Sequence, residues 1–255
     1  MAENHGGAAR GVHDWGRTAL IAGTVAAGGL LVQSVLLLLD LTGILPSAPD
    51  FHETGNGFDQ DLATLYVGFF ERQHDIAWNI AIRGTVGALA SIAMIVLARA
   101  LGRVLGSGRP RVEVWTTVFA VGALLRLLSD LVYLSQLGVW RYTGFSPDPP
   151  ADIIASGRTS DALGNLADYL ELAAIVTIAV GLVGIAALLS RPLRILALAL
   201  AGTLLLATVA TLAFWDVVTE VTAILTGVVL GPLLLLGLGR WLAQPVDRAG
   251  ARTPG

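Results

Sequence analysis

Five ionisable residues of this 255-residue chain stand inside stretches that are otherwise apolar: Arg83, Arg126, Asp130, Asp168 and Glu171. Their spacing groups them. Asp75, Asn79 and Arg83 recur every fourth residue on a line that continues from Glu71, so all four share one face of a helix, with small Gly87 and Ser91 further along it. Arg126, Asp130 and Tyr133 share a face of the next apolar stretch, and Asn165, Asp168 and Glu171 a face of the one after. Gln33 interrupts the first stretch, and Asp216 and Glu220 open the last. Three kinds of chemistry are open to such a set. Arg83 and Arg126 can anchor an anionic group, with Asp130, Asp168 and Glu171 positioning or counterbalancing them. Asp168 and Glu171, if close together with too few cations nearby, would share a proton and serve as a general acid or a pH-sensitive switch. Or the charges pair across helices and do no more than fix their register.

Other chemistries are excluded by count. There is no cysteine, hence no disulfide, thiolate nucleophile or cysteine-bound metal. The four histidines, His5, His13, His52 and His74, all fall outside the apolar stretches, which argues against haem held between helices. All sixteen basic residues are arginine, so no lysine can form a Schiff base. A net charge of −3 leaves no footprint for nucleic acid. Glu71 and His74 form a Glu-x-x-His fragment of a di-iron site, but no second copy follows. His52, Glu53, Asp59 and Asp61 could supply loop ligands, though at no spacing that defines a cage. No cofactor and no metal are expected. Hydrolase-elbow, zincin, phosphate-loop and aspartate-rich prenyl-diphosphate motifs are all missing.

The elements that must position the charges follow from composition. The chain is 55% apolar and 14% charged, where soluble domains carry about 25% charged residues. Its mean hydropathy is +0.72. The apolar residues come in blocks of the roughly 20 positions that carry a helix across a membrane. Six spans are expected near 18–40, 76–98, 113–138, 163–189, 194–214 and 217–239. They form an all-α bundle over 18–243, between an N-terminal tail over 1–17 and a C-terminal tail over 244–255. Arginines at 10, 17, 99, 103, 109, 111, 191, 194, 240, 248 and 252 fall on one side, and only Arg72, Arg141 and Arg158 on the other. The positive-inside rule then puts both termini in the cytoplasm and the protein in the plasma membrane, as a multi-pass chain. Trp15, Trp115 and Trp241 fall at the inner ends, Trp140 and Trp215 at the outer ends and Trp78 just inside one, where indole rings prefer to sit.

Between the first two spans, Phe58, Leu62, Leu65, Tyr66, Phe69 and Phe70 recur at helical spacing, which fits either a short interfacial helix or an ordinary outer loop. Residues 141–162, with Pro147, Pro149 and Pro150, read as an extended loop. Gly227 and Gly231, like Gly84 with Ala88 and Gly87 with Ser91, are small pairs that let helices approach closely.

Depth adds a further expectation. Unpaired, these charges would cost roughly 10 kcal/mol at about 2.5–3.5 kcal/mol for each central one, comparable to the whole stability of a typical domain. Arg83 and Arg126 are therefore expected to meet Asp130, Asp168 and Glu171, with Arg126 and Asp130 also able to pair one turn apart. All of them lie in the outer half or near the centre, which implies a polar chamber on the outer side above a dry floor. The favoured reading is an accessory, sensory or binding protein whose chamber takes a small molecule, a lipid or a partner's membrane segment within the lipid bilayer. An intramembrane enzyme acting on a lipid-like substrate, with Asp168 or Glu171 as acid or base, is the alternative. A proton-coupled transporter is the second.

Overall fold

The computed structural model describes residues 5–45, 58–106, 109–142 and 150–244. Its helices run His5–Leu41 (α1), Phe58–Asp75 (α2), Ala77–Gly106 (α3), Pro110–Tyr142 (α4), Pro150–Ala186 (α5), Arg191–Leu212 (α6), Asp216–Ile224 (α7) and Gly231–Ala243 (α8), with a π-helical segment at Leu225–Leu230 joining the last two. Among the described residues there is no strand. Six helical segments are long and apolar enough to cross a membrane: Asp14–Leu41, Ala77–Gly106, Pro110–Val139, Pro150–Ala186, Arg191–Leu212 and Val217–Ala243. Large apolar side chains such as Ile21, Leu89, Val183, Ile195 and Leu233 stay exposed along their flanks. Hydrocarbon tolerates such a surface and water does not.

Proline and glycine punctuate the chain. Pro110 and Pro150 begin α4 and α5, where the missing N–H costs nothing. Gly43 and Gly106 take positive φ, +71° and +128°, near the ends of α1 and α3. The α5–α6 connection is tied by Arg194, whose guanidinium donates to the carbonyls of Ala186, Ala187 and Leu189 at and just past the end of α5. In the last span Pro232 has no N–H to offer, and the N–H of Gly231 bonds back to Thr226, five residues earlier. The backbone widens there into the π segment.

The segment expected as a loop over 141–162 is corrected: from Pro150 onward it is helix, and α5 is 37 residues long. Its first three turns bury Ile153, Ile154, Gly157 and Ser160 at helical spacing, on the side that meets α2. The helical part of the stretch before the second span is α2 itself. The N-terminal tail expected over 1–17 is helical from His5. His52, Glu53, Pro147, Pro149 and nearly all of the C-terminal tail lie outside the described residues.

Packing divides the bundle along its length. Toward the arginine-rich end lies one apolar cluster that includes Ala19, Ala26, Leu97, Phe119, Leu182, Ala197 and Leu238, drawing on α1, α3, α4, α5, α6 and α8. There α1 and α8 touch through small residues: a Cβ on Gly23 would stand 2.5 Å from the carbonyl oxygen of Leu235. At the opposite end Ala63 and Phe70 of α2 gather with Leu45, Ile76, Ile80, Ile153 and Ile154 into a second, smaller cluster. Gly227 and Gly231 of the last span face Ser34 and Leu30 of α1, so this small pair packs inside the bundle.

Candidate functional site

Between the two apolar clusters runs a polar layer built by α1, α3, α4 and α5 and closed by α2. Its centre is Gln33 of α1. The Gln33 amide nitrogen donates to Asp130 Oδ1 at 3.2 Å, while its oxygen accepts from Arg126 Nη2 at 2.8 Å. Ser91 Oγ donates to the other oxygen of Asp130 at 3.3 Å. Arg126 Nη1 lies 3.5 Å from Glu171 Oε1, which carries the network to α5. Gly87 makes room for this meeting. A Cβ there would stand 2.6 Å from Asp130 Oδ1 and 2.7 Å from Gln33 Nε2. Local sequence explains the facing, because Gly84, Gly87 and Ser91 lie on one side of α3 and Arg126, Asp130 and Tyr133 on one side of α4.

Toward α2, a second set centres on Asp40 of α1. Asp40 Oδ1 accepts from Arg72 Nη2 of α2 at 2.8 Å, and Asp40 Oδ2 lies 3.7 Å from Arg83 Nη1 of α3. The Arg83 guanidinium also sits over the ring of Tyr133, 5.9 Å from its centroid, a cation–π distance. One carboxylate thus joins two arginines from different helices. Further out, Tyr66 of α2 donates its hydroxyl to Asp161 Oδ2 of α5 at 2.6 Å. Burial, and then the hydrogen bond to Asp161 and its negative charge, push the Tyr66 phenol from 10.0 up to about 12.

Of the expected residues, Arg126, Asp130 and Glu171 come together. Arg83 joins Asp40 and Tyr133 and forms no ion pair with Asp130, Asp168 or Glu171, which corrects the expected pairing. The expected contact between Arg126 and Asp130 is replaced by a bridge, since Gln33 binds both. Asp168 is exposed one turn from Glu171, and among the described residues it makes no hydrogen bond or ion pair. Asn79 is fully buried at 0% exposure, and neither amide atom finds a partner among the described residues. The Nε of Arg83 and the Nε of Arg126 are likewise buried and unpartnered.

Sequence reasoning passed over Asp40 and Arg72 and saw Gln33 only as an interruption. The available signal was the seven-residue interval from Gln33 to Asp40, two turns along one face of α1. No three histidine, aspartate or glutamate side chains gather in a metal-holding group among the described residues.

Chemically, the layer is close to neutral where it is paired. Arg72 and Arg83 share the Asp40 carboxylate, Arg126 has that of Glu171, and Asp130 is held by a neutral amide and a hydroxyl. What remains unused is donor capacity, on the two guanidiniums and on the carboxamide of Asn79 one turn from Arg83. No family model matches this chain, nor does any curated protein or solved structure. The geometry alone therefore carries the functional reading.

Proposed function

We propose that the chain is a multi-pass plasma-membrane protein with cytoplasmic termini that acts as a binding, accessory or sensory subunit, and that it receives an anionic or amide-bearing group in the polar layer beneath α2. The observation that carries this reading is Asn79. A wholly buried carboxamide with no partner costs about 1–3 kcal/mol for each unsatisfied group, and buried polar groups are otherwise almost always hydrogen-bonded. A ligand or a partner's membrane segment that offers both an acceptor and a donor to Asn79, and an oxygen to Arg83 Nε, would remove that cost. Ionisable and polar groups at membrane depth are functional candidates by default.

Native mass spectrometry of the protein, extracted from its own membranes in mild detergent, tests the reading. A bound mass should persist in the wild type and in Arg191→Gln, which changes an exposed arginine at the far end, and should vanish in Arg83→Gln and Asn79→Leu. Identical adduct patterns in all four proteins would refute it. A second reading has its own support: three arginines matched by carboxylates across five helices can serve purely to lock helix order. In that case the same variants change stability and no ligand is lost.

A further inference from the structure

A groove at the arginine-rich end takes no part in the polar layer. It runs between α3 and α4, has a volume of about 570 Å³ and is open along one side. That volume falls within the roughly 300–1,000 Å³ of small-molecule sites. Its lining includes Arg99 and Arg103, one turn apart on α3, and Thr117 of α4, together with the apolar Ala98, Val121 and Leu124. Arg99, Arg103 and Thr117 are exposed, and among the described residues none of their side chains makes a hydrogen bond or ion pair. Thr116, also on the wall, has its hydroxyl bound to the carbonyl of Val112 and presents little polarity. Arg194, by contrast, is spent on the end of α5.

Two features select the occupant. The first is charge: residues 99–113 carry Arg99, Arg103, Arg109 and Arg111 against Glu113 alone. That excess favours an anion. The second is length. From Glu113 to Leu124 the groove follows eleven residues of α4, about 16 Å at 1.5 Å per residue. That is one leaflet of a roughly 30 Å hydrocarbon core. A soluble anion would use the arginines and leave the apolar length empty, whereas a lipid uses both.

We propose that this groove is a binding site for one anionic phospholipid, with its phosphate on Arg99 and Arg103, an ester oxygen within reach of the Thr117 hydroxyl, and an acyl chain along Ala98, Val121 and Leu124. Basic pockets between membrane helices take anionic head groups in this way. The site depends on the helices spanning a bilayer, but on neither the orientation of the chain nor the polar layer.

The test is a lipid titration of the full chain in neutral-detergent micelles, followed by thermal unfolding. Dioleoyl phosphatidylglycerol should raise the midpoint saturably, while dioleoyl phosphatidylcholine and inorganic phosphate should not. Arg99→Gln/Arg103→Gln should weaken the apparent affinity for phosphatidylglycerol roughly thirtyfold, given the attraction of each arginine to an anionic head group. Val121→Trp, at an exposed position, should weaken it by blocking the chain while leaving both arginines in place. Arg240→Gln, on the last turn of α8, should bind as the wild type does. Equal stabilisation by the two lipids would overturn the proposal. So would an Arg99/Arg103 double variant no weaker than Arg240→Gln, or a Val121→Trp protein with unchanged affinity. If inorganic phosphate alone reproduces the shift, the site is a plain anion site and the lipid assignment falls.

Discussion

Replacing Gly87 by alanine places one methyl group at the point where three helices exchange hydrogen bonds. The added Cβ would stand 2.6 Å from Asp130 Oδ1 and 2.7 Å from Gln33 Nε2, so reaching an ordinary 3.4 Å means retreats of 0.8 Å and 0.7 Å. These two atoms hold each other at 3.2 Å, and Gln33 also holds Arg126 at 2.8 Å, so the displacement opens a connected set of bonds. Losing a hydrogen bond to a charged group costs about 1.5–3 kcal/mol, and overpacking a filled site costs about 1–3 kcal/mol. Against this, alanine is favoured over glycine in a helix by about 1 kcal/mol. The expected net loss is roughly 1.5–5 kcal/mol. Gly28 supplies the control, because a Cβ there meets nothing within 4 Å. Gly28→Ala should be neutral or stabilising by up to about 1 kcal/mol. Reversible unfolding in mixed micelles measures both, and repeating Gly87→Ala in a Gln33→Ala background should recover at least about 1 kcal/mol of the loss, as residues in contact couple. If Gly87→Ala is as stable as Gly28→Ala, the layer is not the connected network described.

Asp40→Asn should destabilise by about 2 kcal/mol, because it leaves Arg72 and Arg83 without their shared carboxylate in a partly buried place; the exposed Asp14→Asn should stay within about 0.5 kcal/mol in the same unfolding assay. Asn79→Leu should stabilise the ligand-free protein by about 1 kcal/mol, since it removes two buried unsatisfied groups, and a large loss on unfolding would show that the amide is bonded after all. Because folding raises the Tyr66 phenol from 10.0 to about 12, the folded state keeps a proton that the unfolded chain releases, so stability should fall as pH rises from 10 toward 12. Tyr66→Phe should flatten that part of the pH profile, and an unchanged slope would remove the assigned cause.

The spans were legible because membrane thickness fixes a length and oil fixes a composition, both of which a sequence displays directly. Pairing was not. Whether Arg83 meets Asp40 or Asp130 depends on which helices are neighbours and how each is rotated, and no local pattern encodes either. α1 lies against both α3 and α8, so Gln33 and Asp40 look into the bundle toward α3 and α4. Read alone, the same two residues are an interruption and an end. The start of α5 was misread for a different reason. Pro150, Asp152, Arg158 and Asp161 resemble loop chemistry, yet proline opens helices as readily as it ends them, and Ile153, Ile154 and Gly157 already carried the helical spacing.

The order of the layers also bears on what the polar groups can do. Toward the arginine-rich end, the bundle's interior beyond the polar layer is packed by the larger apolar cluster, where Ala19, Ala26, Ala100, Leu182 and Ile185 are fully buried, and the groove between α3 and α4 lies to its side. A transported ion would have to cross that plug without polar contacts, at several kcal/mol for each unsatisfied charge, or the tightly packed α1–α8 contact would have to part. At the opposite end α2 is held by contacts that include its arginine on Asp40, Tyr66 on Asp161 and the smaller apolar cluster. Under the reading proposed above, a ligand that reaches Asn79 and Arg83 from this end has to displace α2. Arg72, which would have to move, and Arg83 hold opposite oxygens of the one Asp40 carboxylate, so displacing α2 breaks the first ion pair and leaves Asp40 to Arg83 alone. Asp40 therefore links α2 to Arg83, and Asp40→Asn should release both from it at once.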